Sequence, residues 1–408
     1  MVSTISAQHD NNWFFGRMAA LNFSKGKPEP LSGSTMSAME GSASISDGNG
    51  KVLFYTDGIN VWNRENKKMP HGTGLLGDQS TTQSAIIIPK PGSQTRYYIF
   101  VADDAGGPNG LTYSEVDMAA DGGKGDVVAL NVKLVTPVTE KITATFHANA
   151  KDIWVTTHQW GSNAFYSYRI TSSGVDTAPV ISNAGLVIDG AENSGHYAGW
   201  MAVSPDGEHI ASASGLLAVE LFDFDNTTGK VSNGVVVKQP AKCYGVEFSP
   251  DSNLLYATSN DKVFQYEVHA SDVAASERVV GTVEVASSIK LGPDSKIYVV
   301  NKYLSKTLSV INRPNVIGTG CNFVLDGLDL GGSETYVGLP NFLTSPYYLL
   351  KINAENDCND TEVVFSAEGT LDADSIVWYF GDGHQSASPV AKHTYAATGN
   401  NPLFYTAG

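Results

Sequence analysis

The chain has 408 residues, of which 42% are hydrophobic and only 17% charged, with 41 glycines. That is ample apolar content for a large core, and low charge with many Gly, Ser, Thr and aromatic residues is the profile of short strands joined by tight turns. A formal net charge of -16 argues against nucleic acid as a partner, because phosphate backbones would repel it. No apolar run is long enough to insert into a membrane.

In chain order, Ser6-Ala7-Gln8 reads as the small-residue end of a signal peptide whose apolar part is absent, or as an ordinary irregular start. W-F-F-G at Trp13 and A-A-L-N-F-S at Ala19 are strand-like, and a Gly/Ser/Pro-rich loop follows to Glu40. A hairpin then turns at Asp47–Gly50, and comparable hairpins follow around Pro89-Lys90-Pro91-Gly92 and around His147. The next three share one unit: V-S-P-D-G after Trp200, F-S-P-D-S after Val246 and L-G-P-D-S after Ile289. Pro presets φ, Asp bonds its own backbone and Gly tolerates positive φ, so each is a strand–turn–strand. Repetition at roughly 40–45 residues predicts a β-propeller with WD40-like repeats. Six inner hairpins are read directly. V-G-L-P-N-F-L from Val337 is expected to be a seventh innermost strand, completed by the orphan strands near Trp13 and Ala19, which closes the ring and removes free strand edges. The expected domains are a propeller over residues 12–350 and a smaller β-sandwich over 351–408.

The last stretch, W-Y-F-G-D-G followed by a Pro and H-T-Y, resembles the PKD domain, an immunoglobulin-like sandwich of cell-surface proteins. Trp378, Phe380, Gly381, Asp382, Gly383, Pro389, His393, Tyr395 and Gly399 carry the match. The resemblance implies a further strand past Gly408, so the C-terminus reads as clipped, and it makes His393 a structural hydrogen-bonder. N-W-F-F-G, D-G-N-G-K-V-L-F-Y-T-D-G, V-E-L-F-D-F-D and G-L-P-N-F resemble secreted Bacteroidota proteins associated with gliding motility and type IX secretion. That resemblance implies an exported, surface-associated protein and no particular reaction.

In a propeller the start of each inner strand and the loop between second and third strands share one face. Seven residues before each hairpin turn is one register at that rim, occupied by Glu40, Thr82, Glu140, Ala198, Cys243 and Ala286. Two carboxylates in one register can do acid–base work or hold a cation, or can simply bond to backbone. His158 and Trp160 are read as a loop on the same face, and His196 and Tyr197 as preceding the fourth inner strand. Asp57, Asp103, Asp104 and Asn260 follow second strands. With Gln83 and Tyr244 these form a candidate binding mouth for a sugar or peptide. His147 is expected to be a solvated turn residue on the opposite face.

No nucleophile elbow, zinc-protease motif, P-loop or full calcium loop is present, so no catalytic set, cofactor or metal site is predicted. The leading expectation is a non-enzymatic adhesion or binding protein, extracellular or on the cell surface, with a glycan or protein partner and the sandwich as spacer. The rival is a lactonase-, lyase- or glycosidase-like propeller using Glu40, Glu140 and His158. If any cysteines pair, Cys321 and Cys358 are expected to, leaving Cys243 as a core thiol; three unpaired thiols are the alternative.

Overall fold

The computed structural model describes residues 9–188, 195–240, 242–285 and 287–344, and in the C-terminal stretch 351–355, 362–368, 376–380, 382, 384–388, 390–395 and 404–407. The repeated hairpins form as their turn residues require. The Ser204 and His209 backbones pair, and the Ser204 hydroxyl accepts the His209 N–H at 2.9 Å. Asp206 accepts the Glu208 N–H at 3.0 Å, and Gly207 takes φ of 72°. Ser249 and Asp251 repeat the arrangement. There Ser252 takes the left-handed position, and in the third copy Ser295 does.

Six antiparallel sheets follow in sequence, each laid down from the centre outward. They run from Ala43–Ser46 to Lys68–Thr73, Ala85–Pro89 to Asp126–Val135, Val138–Phe146 to Val180–Ile188, Met201–Val203 to Lys230–Lys238, Cys243–Phe248 to Arg278–Thr282, and Ile289–Leu291 to Phe323–Asp329. Asn12–Phe15, Ala19–Asn22 and Glu29–Pro30 make a seventh sheet. Successive side chains on a strand face opposite ways, so each sheet feeds two cores. Phe54 joins the cluster shared with the next sheet, and its neighbour Tyr55 joins the cluster shared with the preceding one. Seven such clusters link the seven sheets in a closed cycle. The protein is a seven-bladed, all-β propeller, and among the described residues no helix is long and apolar enough to cross a membrane.

Closure rests on the strand Asn12–Phe15. Trp13 and Phe15 pack into the sixth blade with Tyr298, Leu308 and Val310, while Phe14 points the other way and stacks on Tyr55 at 4.0 Å. The segment 334–344 lies innermost in this blade: the Arg17 N–H donates to the Glu334 carbonyl at 2.7 Å, and the Ser288 N–H to Val337 at 3.0 Å. The expected strand from Val337 is corrected here. Around Pro340 the segment makes only isolated bridges, to Ser42 and later from Thr344 to Thr145, because proline donates no hydrogen bond and cannot continue a ladder. Asn341 instead reaches across the axis, its N–H on the Ser42 carbonyl and its Nδ2 on that of Ile142.

The outer strands of the first six blades each slip register against their neighbour. At five of them a residue in the outer strand takes positive φ: His71, Asn131, Gly185, Asn233 and Asp326. Such bulges twist an edge and interrupt its row of free backbone groups.

Cys243 is the buried free thiol expected of it. Cys321 is also free and buried, turned inward by the 3₁₀ turn Gly318–Cys321 into the core between the fifth and sixth blades. A free Cys321 agrees with the alternative of unpaired thiols; Cys358, the other half of the conditional Cys321–Cys358 bridge, lies outside the described residues. His147 is not solvated either: its ring stacks on Trp154 at 5.7 Å.

In the C-terminal stretch, Lys351–Glu355, Glu362–Glu368 and Val390–Thr394 form one three-stranded sheet, and Gln385–Ser386, Ile376–Tyr379 and Phe404–Ala407 another. Phe365, Trp378, Phe380 and Ala391 form a small core, and Trp378 Nε1 donates to the Ser388 carbonyl at 2.9 Å.

Trp13 is fully buried at the closing interface. Trp13→Ala is expected to destabilise the propeller by about 3–5 kcal/mol, the usual cost of emptying a buried aromatic site. Urea unfolding at unchanged slope checks this, and a loss below about 1 kcal/mol contradicts the closing role.

Candidate functional site

The rim register converges as its spacing predicts. Glu140, at the start of the third inner strand, accepts both the N–H (2.9 Å) and the hydroxyl (2.7 Å) of Thr82 on Oε2. Its other oxygen accepts the Ala105 N–H at 3.3 Å, and Asp104 lies near enough to raise its pKa. Glu40 accepts the Tyr244 hydroxyl, and Thr82 lies near enough to help hold its pKa down. Thr82 therefore stands between two carboxyl groups from different blades. Burial, against which the hydrogen bonds from Tyr244 and Thr82 only partly compensate, pushes Glu40 up to about 7. Burial and the neighbouring Asp104 push Glu140 up to about 8. The Tyr197 hydroxyl is raised by burial and then by Glu140, Asp104 and Glu40, which places it in the same field.

Under the cluster lies Lys141, fully buried, which donates to the carbonyls of Tyr197, Ala198 and Gly199 at 3.1, 2.9 and 3.0 Å. Burial lowers its amine to about 8, but three carbonyl acceptors take all three ammonium protons, so it stays charged at neutral pH. It pins the loop that presents Tyr197. Trp160 lies 5.0 Å from Tyr197 with the rings tilted by 31°. Gly106 backs the indole so closely that a Cβ there would sit 2.4 Å from it. Glu40, Trp160, Tyr197 and Tyr244 are all half-buried, so each presents some surface at the mouth.

Other sequence candidates fall elsewhere. Gln83 is fully buried and spans the axis: its Oε1 accepts the Met201 and Ile142 N–H groups at 2.8 and 3.3 Å, and its Nε2 donates to the Met201 carbonyl at 3.1 Å. Asp57 accepts the Ile59 and Asn60 N–H groups, and Asp103 that of Asn109, so both shape their own loops. His158 is not in a loop but in the strand Ile153–Gln159, buried edge-on to Phe165 at 4.7 Å. Burial, with Lys141 nearby, lowers it to about 3, so it is neutral and faces the core rather than the carboxyl pair. His196 is half-buried in the loop before Tyr197. Lys141 was not anticipated; its signal is a Glu140-Lys141 pair near the start of an otherwise uncharged inner strand.

No known protein family and no curated protein matches the chain. Among solved structures it is similar to two proteins provisionally named 6-phosphogluconolactonases. The one from Bacteroides uniformis has 13% identity over 89% of this chain and 98% of that one, with a TM-score of 0.43. The one from Bacteroides fragilis has 14% identity over 90% and 98%, with a TM-score of 0.41. It is also similar to the Cps50 (Swd1) β-propeller domain of Myceliophteria thermophila, at 11% identity over 72% and 94% and a TM-score of 0.42. Likeness this distant says nothing about ligand or reaction.

A carboxyl whose folded pKa lies above its unfolded value holds its proton more tightly when folded, so its stabilisation is present at low pH and lost as pH rises through the folded value. His158 acts oppositely, costing stability below its unfolded pKa of about 6.5 and falling silent above it. Between about pH 6.5 and 8 the carboxyl pair dominates. The urea midpoint is expected to fall across that window, and to fall less in Glu40→Gln. A flat or rising midpoint contradicts the raised pair.

Proposed function

We propose that the propeller is a non-enzymatic binding protein whose mouth holds a neutral, hydroxyl-rich ligand of the glycan class. The observation that carries this is the juxtaposition of Glu40, bonded to Tyr244, with the Trp160–Tyr197 aromatic wall. A carboxyl raised to about 7 is largely protonated at slightly acidic pH, so it can both donate to and accept from ligand hydroxyls. An aromatic face packs against the C–H face of a sugar ring while a tyrosine hydroxyl stays available for hydrogen bonding. The chain's net charge of -16 disfavours anionic ligands. Export to the cell surface, with the C-terminal unit as a PKD-type spacer, belongs to the same proposal and is supported by the sequence resemblance.

A second reading, an enzyme, draws on the same raised carboxyl, since a group poised near neutral pH suits general acid catalysis. Against it, Glu140 is enclosed by its own donors and His158 faces the core, so neither offers Glu40 a free partner base.

Calorimetric titration with a panel of neutral oligosaccharides is expected to find a binder that Trp160→Ala weakens about tenfold or more. Binding to peptides alone, or a glycan affinity indifferent to both Trp160→Ala and Glu40→Ala, argues against the reading. Turnover of an oligosaccharide or lactone that Glu40→Gln abolishes would establish the enzyme instead.

A further inference from the structure

We propose that Asp382, His384 and His393 form a binding site for a divalent transition metal of the zinc class. The sequence predicted no metal site, and this trio belongs to neither the propeller mouth nor its ligand. Asp382 and His384 are two residues apart in the turn after the strand Ile376–Tyr379, and His393 comes from Val390–Thr394 in the other sheet. His393 Nε2 lies 2.7 Å from Asp382 Oδ2, and His384 Nδ1 lies 3.2 Å from Asp382 Oδ1. One ligand atom from each residue lies within 4.8 Å of both others, and this is the one His/Cys/Asp/Glu group with that geometry among the described residues.

A tetrahedral zinc site with nitrogen and oxygen donors at ~2.0–2.2 Å holds its ligand atoms ~3.4 Å apart. With one carboxylate oxygen as the ligand atom, the separation between His393 Nε2 and Asp382 Oδ2 is already short enough. The separations to His384 close by a turn of its side chain, which is 73% exposed. His393 is held in place beforehand: its ring stacks on Phe380 at 4.1 Å and 6°, and Tyr395 meets it edge-on at 4.6 Å. A ligand whose orientation is fixed by packing loses little freedom on binding. Two imidazoles and one carboxylate suit zinc, nickel or copper rather than calcium or magnesium, which take oxygen donors. An exposed histidine–carboxylate contact adds little stability by itself, yet two imidazoles from different sheets meet on this one carboxylate. A bound metal would cross-link the two sheets.

The test titrates zinc chloride into the full, tag-free chain by calorimetry and follows cobalt(II) by its visible absorption. One equivalent of zinc and a tetrahedral cobalt band are expected. His384→Ala, at an exposed position, is expected to weaken zinc binding at least ~10-fold and to abolish the cobalt band, with far-ultraviolet circular dichroism unchanged. His384→Gln serves as a second variant should alanine disturb the turn. Failure to take up zinc, or uptake unchanged in both variants, overturns the proposal.

Discussion

The fold depends on one buried strand of four residues, Asn12–Phe15, that must satisfy two neighbours at once. Trp13 and Phe15 complete the core of the sixth blade, and Phe14 completes that of the first. Asn12 adds polar ties, its Nδ2 donating to the Ser46 hydroxyl at 2.9 Å and to the Gly50 carbonyl at 2.7 Å. Every other interface in the ring is formed by segments close in sequence, whereas this one joins the two ends of the propeller. The loop that leaves this blade carries Glu40, and Glu40 meets Tyr244 of the fifth blade. Closure therefore also sets the geometry of the mouth.

The mouth combines groups that water would otherwise keep apart. Two carboxyls, Glu40 and Glu140, lie close together near Thr82, and desolvation holds both protonated far above their usual range. A lysine directly beneath them keeps its charge by giving all its protons to one stretch of backbone, Tyr197–Gly199. Charge repulsion is thus avoided by protonation on one side and carbonyl dipoles on the other. Below, Gln83 and Asn341 reach across the axis between inner strands, so the mouth has a floor of hydrogen-bonded side chains.

Much of this was legible in the sequence. The Ser-Pro-Asp turns and their period gave the propeller, because turn chemistry is local and each residue acts on its own backbone. Counting back from the turns placed Glu40, Thr82 and Glu140 together, since inner strands of a ring share one register. The failures occur where direction or boundary decides. His158 was assigned to a loop because polar His-Gln-Trp looks like one, but the strand persists through Gln159 and alternation turns the imidazole inward. Gln83 is one residue past the rim position, and that single step points it across the axis. Cys321 looked flexible in Gly-Thr-Gly-Cys-Asn, yet the turn it ends faces the core.

The slipped outer strands have a bearing on how such discs behave when crowded. Their exposed valines, leucines and isoleucines, Val128, Leu130, Ile181 and Val235 among them, would make sticky borders on flat ribbons. With left-handed residues at Asn131, Gly185 and Asn233 breaking the ladder, a neighbouring molecule cannot continue the sheet for more than a few residues. The circumference can touch other copies without zipping to them.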